Sequence, residues 1–350
     1  MLKKHLDAFR CPKAGAPLRL VETTMADGEV VSGELVSPDG HRYAIDRGVP
    51  NFLGAVELTP IEERTKTEYD NVADSIYDVA VNWQFAAFRV DEDAVRESMV
   101  DMLDLRPGMR VLEVGCGTGR DSFRLARRLG KDGYLHMQDL SPGMVYAGVK
   151  KMQEYDREIH FACELDYSIS SATALPFPDS YFDAVFHFGG FNQFGDLMKG
   201  AAELTRVAKV GGRVLYGDEA VAPWLKGTEF ARIVKTNNAL FDADAPLHTL
   251  PVSARDVVVR WIINNCFYVI AFTKGEGVPD LDLDLPHQGW RGGTMRSRYF
   301  GQLEGVTVET KQMVKEAAAH AGVSIHAWLD QLLKREAVAE LGKPVSNKKA

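Results

Sequence analysis

The stretch VLEVGCGTGRD, residues 111–121, decides how this chain is read. Around it, MRVLEVGCGTGRDSFRLARRL gives a short apolar strand from about Arg110 to Val114, then glycines, then a helix with Phe123, Leu125, Ala126 and Leu129 at helical spacing. A strand, a turn and a helix in that order open a βαβ unit. Glycines stand at 115, 117 and 119, whereas the dinucleotide fingerprint Gly-x-Gly-x-x-Gly would need its third at 120, where Arg120 stands. The Gly-Lys-Ser/Thr ending of a phosphate loop is missing too. What is left is a loop built for close approach of a ligand to backbone. Glu113, an acid at the end of the strand, would repel phosphate and welcome a cation.

The rest of the chain sets bounds. Its 350 residues are 45% apolar and 26% charged, as in an ordinary globular protein with one large domain plus additions. No apolar run approaches the roughly 18 residues of a membrane span, and MLKKHLDAFRCPK does not read as a secretory signal, so a cytoplasmic location is expected. Cys11, Cys116, Cys163 and Cys266 are scattered and expected to be reduced. A net charge of -8 gives no general pull toward nucleic acid or anionic membrane.

Glu-x-Gly-x-Gly-x-Gly followed by further strand motifs resembles the class I S-adenosylmethionine-dependent methyltransferases, from about Glu68 to Gly217. The resemblance implies an α/β fold with a Rossmann-like seven-stranded methyltransferase sheet, and a cofactor whose ammonium and sulfonium suit an acidic strand end. It makes Tyr77, Glu113, Gly115, Gly117, Gly119, Asp139, Leu140, Ser171, Ala172, Thr173 and Phe188 the cofactor-binding candidates. Asp139 closes the second strand, GYLHMQD, twenty residues beyond Gly119, where a carboxylate can accept both ribose hydroxyls. Ser141 in SPGM is the expected N-cap of the next helix. SSATALPFPDSYFDAVFHFGGFNQF (170–194) is similar to the family's third and fourth motifs, although Ser171 stands at the aligned position of the usual acid. ELTRVAKVGGRVLYGDE (203–219) matches the helix, Gly-Gly turn and fifth strand.

The flanks carry separate expectations. LDAFRCPKAGAPLRL and GELVSPDGHRYAIDRGVPNFL resemble a zinc ribbon found before the fold of guanine-N1 rRNA methyltransferases. Ala14 and Ser37 replace two ligands and leave Cys11 and His41, which cannot close a tetrahedral site. Residues 1–58 are therefore expected to form a metal-free β-rich domain kept for packing or for shaping the substrate entrance. Residues 59–305 would be the methyltransferase domain, with a substrate insert at 220–262. In that insert Trp224, Phe230, Phe241, His248 and Trp261 would line an acceptor pocket or pack in the core. Tyr69, Tyr77 and Trp83 could face the sulfonium or fill the core. FYVIAFTKGEG and TMRSRYFGQLEG read as the sixth and seventh strands. Residues 306–341 read as a helical hairpin capped by Thr307 and Ser324, resembling a ribbon-helix-helix unit. Dimerisation is preferred there over DNA binding, and 342–350 read as a disordered tail.

Methyl transfer is an in-line displacement that needs a base only if the acceptor arrives protonated. His187 and Asn192 are the catalytic candidates, with His248 and His287 more remote. The preferred reading is methylation of a small, partly apolar metabolite, with neither metal nor membrane and with nucleic acid disfavoured. An rRNA or tRNA base methyltransferase and a DNA-binding regulator with S-adenosylmethionine as ligand are the alternatives.

Overall fold

A computed structural model describes residues 1–73, 76–289, 292–300 and 306–342. The chain divides into two units, 1–279 and 280–350.

The first unit begins with strands β1 (Arg19–Ala26), β2 (Glu29–Val36), β3 (Arg42–Asp46) and β4 (Val49–Pro50), an antiparallel sheet in sequence order. Three helices follow: α1 (Pro60–Val72), α2 (Tyr77–Ala87) and α3 (Glu92–Asp101). A capping box between Thr59 and Glu62, with Pro60 in the first turn, starts α1. The main sheet is built from β5 (Arg110–Val114), α4 (Ser122–Leu129), β6 (Tyr134–Asp139), α5 (Pro142–Ile159), β7 (Glu164–Ile169), β8 (Phe182–Phe188), α6 (Leu197–Val207), β9 (Ala208–Glu219), α7 (Glu229–Asn237), β10 (Ala254–Ile262) and β11 (Phe267–Lys274). Its order is β10-β11-β9-β8-β5-β6-β7, parallel from β9 to β7 and antiparallel at β10 and β11. The central strands are buried almost throughout, as helices on both faces require. Ser141 caps α5 through the Met144 N–H.

Of the last two expected strands FYVIAFTK is found, as β11, and the other is not. β10 falls inside the segment read as a substrate insert, and TMRSRYF forms helix α8 (Met295–Phe300) rather than a strand; residues 301–305 of that expected strand lie outside the described residues. The signal was present in ARDVVVRWI, a β-branched and aromatic run whose hairpin partner FYVIAFTK follows after one tight turn. Ile263, Asn264 and Asn265 turn the corner with positive φ.

The small sheet joins the β7 edge. Phe52 N–H donates to the Ile169 carbonyl at 2.8 Å, Arg10 N–H to Pro176 at 2.8 Å, and Leu2 N–H to Asp166 at 3.0 Å. Phe9 packs between Phe52 and Phe177, and Phe177 meets the buried His136 at 4.7 Å. Cys11 is buried against the Tyr43 hydroxyl at 3.0 Å, while Ser37 and His41 engage Asp39. Among the described residues no group of three His, Cys, Asp or Glu side chains could hold a metal, and all four cysteines are free and buried.

The second unit holds α8, α9 (Val308–His320) and α10 (Ile325–Leu341), the last two capped by Thr307 and Ser324. Its boundary falls near 280, where 305 was expected, and among the described residues after β11 no strand joins the sheet. Among its described residues no strand precedes α9. Of the expected tail, 342–350, only Gly342 falls among the described residues. Among those described, no helix is long and apolar enough to cross a membrane.

Candidate active site

Parallel strands all present their carboxyl ends on one edge, and the helices that follow leave a crevice there. A cleft with about 1180 Å³ of empty space, counting its mouth, runs along this edge. From one end to the other the floor presents Asp139 of β6, Gly115 and Gly117 after β5, His187 and Phe188 of β8, Glu219 of β9 and Phe267 of β11. Asp139 and Glu219 lie three strand intervals apart, roughly 14 Å across the sheet. Helices α1, α2 and α3 contribute Glu62, Tyr69, Tyr77, Gln84, Phe85 and Arg96 to the walls.

At the first end, Asp139 accepts the Gly117 N–H at 2.9 Å and the Ser141 N–H at 2.9 Å. Burial pushes its carboxyl up to about 6 in spite of these bonds. Gly115 and Gly117 hold positive φ, and a Cβ on Gly115 would sit 3.1 Å from the His187 ring. The glycines thus let a histidine and a tyrosine close over the loop, because Gly117 lies under the Tyr77 hydroxyl.

Helix α2 is held over that loop by Asp78. Its carboxylate accepts Thr118 Oγ1 at 2.8 Å, Arg120 Nε at 2.8 Å and Lys151 Nζ at 2.7 Å. Burial would raise this acid, but the bonds from Lys151, Arg120 and Thr118 outweigh it and bring it to about 2. Arg120, which spoils the dinucleotide fingerprint, also reaches Glu92 and Asn82. Arg96 lies buried against Asp121 and Glu92, 5.4 Å from the Phe85 ring centre and 5.8 Å from that of Phe188.

Further along, His187 is 1% exposed and its Nδ1 donates to the Val114 carbonyl at 2.7 Å. That bond fixes the tautomer and leaves Nε2 as a lone pair, buried and without a partner among the described residues. Burial holds the imidazole pKa down, so the ring is neutral near pH 7. Beyond it Phe188 and Phe267 meet at 5.8 Å, beside Phe85 and Ile263.

Of the sequence candidates, Tyr77, Gly115, Gly117, Asp139, Leu140, Ala172, His187 and Phe188 line this cleft, as does Tyr69. Gly119, Ser171, Thr173 and Asn192 stand behind its wall. Ser171 and Thr173 donate to Glu62 at 2.6 and 3.3 Å, so a glutamate of α1 occupies the hydroxyls expected to meet ligand. Asn192 bridges the Glu219 carbonyl and the Tyr268 hydroxyl. Glu113 does not reach the mouth: it is 2% exposed, bonded to Ser122 Oγ, and burial raises its carboxyl well above the usual range. It braces the loop against α4 from beneath. Trp83 is exposed. Trp224 and Trp261 pack edge to face, Phe241 is buried beside Phe88 and Phe267, and Phe230 and His248 are exposed, so none of the five lines the cleft. His287 belongs to the second unit. Sequence reasoning missed Glu62, Gln84, Arg96, Glu219, Ile263 and Phe267; only Glu62 had a local signal, its capping box with Thr59.

The chain is 37% identical over 124 residues to a ubiquinone/menaquinone biosynthesis C-methyltransferase UbiE of Stenotrophomonas maltophilia, covering 35% of this chain and 47% of that protein. It is 30% identical over 154 residues to a demethylmenaquinone methyltransferase of Bacillus mycoides, covering 44% and 61% respectively. The chain thus spans about half the length of the curated relatives it matches. Among solved structures, geranyl diphosphate C-methyltransferase from Streptomyces coelicolor A3(2) aligns with a TM-score of 0.45 and 17% identity, over 62% of this chain and all of that one. Every residue lining the cleft except Ile263 and Phe267 falls within residues 61–226, the stretch that matches the ubiE/COQ5 methyltransferase family.

Proposed function

We propose that this chain is an S-adenosylmethionine-dependent methyltransferase that methylates a carbon of a small, partly apolar ring compound of the quinol class. The observation that supports it most is the division of one cleft into two chemically unlike halves. The β6-β5-β8 half offers hydrogen-bond acceptors: Asp139, the Gln138 Oε1 atom that has no partner among the described residues, and backbone exposed by Gly115 and Gly117. A ligand rich in hydroxyls, amino groups and positive charge fits such a lining, and S-adenosylmethionine is one. Asp139 would hold its ribose hydroxyls, the glycine loop would pass beneath its amino-acid end, and Tyr69 and Tyr77 would cover it. Bound there, it supplies an electrophilic methyl group on sulfur.

The β8-β9-β11 half is aromatic. Phe188, Phe267 and Phe85 give flat apolar walls for a ring, and they exclude water from the reacting carbon. Replacing a ring hydrogen by methyl releases one proton. His187, neutral and with Nε2 free, is the base assigned to it. Asn192 does not touch the cleft and instead positions the end of β9. The small N-terminal sheet sits at the β7 edge, away from the aromatic half, which supports packing over shaping the acceptor entrance.

The test is to incubate the protein with methyl-labelled S-adenosylmethionine and 1,4-dihydroxynaphthalene under argon, then extract the ring compound. Label on a ring carbon is expected. Absence of label from every small-molecule and quinol acceptor tried, or failure to bind S-adenosylhomocysteine, would overturn the reading.

A further inference from the structure

We propose that Glu219 is the residue that selects an acceptor bearing a ring oxygen, by a hydrogen bond from its side chain within the aromatic half of the cleft. The inference rests on the methyltransferase reading above.

Glu219 ends β9 and lines the cleft. Strand register places it opposite Phe267 on β11, while Gly217, two residues earlier on the same face, is opposite Phe188 on β8. A Cβ at Gly217 would come within 3.2 Å of the Phe188 ring, so the glycine lets that ring lie flat next to the carboxyl. The Glu219 carboxyl thus lies on the strand between Phe188 and Phe267, and its side chain hydrogen-bonds the Asp218 side chain beside it and Gln84 of α2. A glutamate is an expensive residue to place on such a floor unless its polar end is used.

The surroundings fix the end of β9 and favour the neutral form of its acid. Asp218 next to it accepts the N–H groups of Gly190, Asn192 and Glu219. Asn192 grips the Glu219 carbonyl at 2.7 Å and is itself fixed by Tyr268. Burial, then the adjacent Asp218, raise the Glu219 carboxyl well above its usual range. A protonated carboxyl both donates and accepts, which suits a phenolic hydroxyl or a ring carbonyl equally. On the next strand lies the buried Nε2 of His187, without a partner among the described residues and an acceptor only. Glu219 and the His187 lone pair thus stand among Phe85, Phe188, Ile263 and Phe267, with Gln84, Arg96 and Gln193 as the further polar side chains of the cleft. A pocket built to bond a hydroxyl rejects the analogue that lacks it far more strongly than an apolar pocket rejects an added hydroxyl. Glu219 is thereby a specificity residue, acting on the choice of acceptor rather than on the methyl group.

The experiment measures binding of 1,4-dihydroxynaphthalene and of naphthalene to the full chain saturated with S-adenosylhomocysteine, for wild type, Glu219→Gln and Glu219→Leu. Wild type is expected to prefer the dihydroxy compound by at least about tenfold. Glu219→Gln, which keeps a donor and an acceptor, should retain that preference within about threefold. Glu219→Leu should lose it, with naphthalene bound as well as before or better. S-adenosylhomocysteine affinity checks that each variant is folded. A wild-type protein that binds the cofactor product yet does not distinguish the two ring compounds overturns the proposal without recourse to any variant. So does a Glu219→Leu protein that discriminates as wild type does. Failure of wild type to bind S-adenosylhomocysteine at all would instead sink the methyltransferase reading on which the proposal rests.

Discussion

Asp139 accepts the backbone N–H of Gly117 at 2.9 Å, so the carboxylate that ends β6 also fixes the shape of the glycine loop after β5. One residue thus couples loop geometry to ligand binding. Asp139→Ala should lower S-adenosylhomocysteine affinity by about 10- to 100-fold, the worth of one or two hydrogen bonds to a charged group. Because burial lifts this acid to about 6, affinity in wild type should also fall as pH drops from 7.5 to 5, the ionised form being the better acceptor. The sign for folding is opposite. An acid whose pKa is raised in the folded state costs stability above about pH 6, and that cost fades as pH falls toward 4. Titration calorimetry across this range checks the first sign; affinity independent of pH would exclude the role.

The Nδ1 bond of His187 to Val114 separates its structural and chemical duties. Asn can place an amide near the Nδ1 position and Gln near Nε2. His187→Asn should therefore keep the fold, with a loss near 1 kcal/mol for ring packing against Phe194, while slowing methyl transfer by about 10- to 100-fold. His187→Gln should lose more stability, about 1–3 kcal/mol, because the Val114 carbonyl is left unpaired. Burial lowers the ring's pKa from its ordinary value, so the wild-type rate should not vary with His187 protonation between pH 7.5 and 8.5. Single-turnover rates and urea unfolding of the two variants give the comparison; equal rates for His187→Asn and wild type would remove the histidine from the chemistry.

Strands β5, β6, β8 and β9 were legible because each carries a short motif that chemistry constrains, a glycine loop, an acid or a Gly-Gly turn, whereas β7 has none and was not located. Beyond Glu219 no such motif exists, and β10 was lost in an insert although Val257, Val258, Val259 and Trp261 carried an ordinary strand signal. Within the site, Gly115, Gly117, Asp139 and His187 were readable from their positions at strand ends. Glu219 and Phe267 were not, since they become neighbours only through antiparallel pairing of β9 with β11, a contact between residues far apart in sequence. Ser171 and Thr173 misled for the same reason: nothing local announces that Glu62 will reach them.

Asp78 is the tether whose loss should be felt at the cofactor rather than in overall stability. Its side chain is 39% exposed, so its ion pairs with Arg120 and Lys151 are partly screened and worth under about 1 kcal/mol together. Yet α2 carries Tyr77, Gln84 and Phe85 into the cleft. Asp78→Ala should speed amide exchange along α2 and weaken S-adenosylhomocysteine binding by about 3- to 10-fold. Since its pKa is lowered to about 2, the tether is charged throughout pH 5–8 and should confer no pH dependence there.

His136 should set part of the acid limit of stability. It is fully buried between the Tyr134 hydroxyl at 2.9 Å and Ser168 Oγ at 2.8 Å, and burial lowers its pKa to about 3. The unfolded chain takes up this proton below about 6.5 while the folded one does not, so stability falls as pH drops through that value. Between pH 7 and 5 the loss from this group alone comes to about 2 kcal/mol. Urea titrations of wild type and His136→Gln at both pH values isolate it: the variant is less stable at pH 7 but should lose about 2 kcal/mol less on acidification.

Gly148 gives a case where helix propensity and packing point in opposite directions. It lies within α5, where Ala would ordinarily be favoured by about 1 kcal/mol. Here a Cβ would stand 2.9 Å from the carbonyl oxygen of Gly117, and within 4 Å of Gly119 N and the Thr118 carbonyl carbon. These are backbone atoms of the loop, held by Asp139 on one side and by the Thr118–Asp78 bond on the other, so they cannot swing away as a flexible side chain would. Gly148→Ala must push α5 off the sheet or push the loop toward the ligand. We expect a net destabilisation of about 1–3 kcal/mol together with at least tenfold weaker S-adenosylhomocysteine binding. Thermal unfolding and calorimetry on the one variant decide it. An alanine that stabilises the helix and leaves binding unchanged would mean that the loop has more room over α5 than the 2.9 Å approach allows.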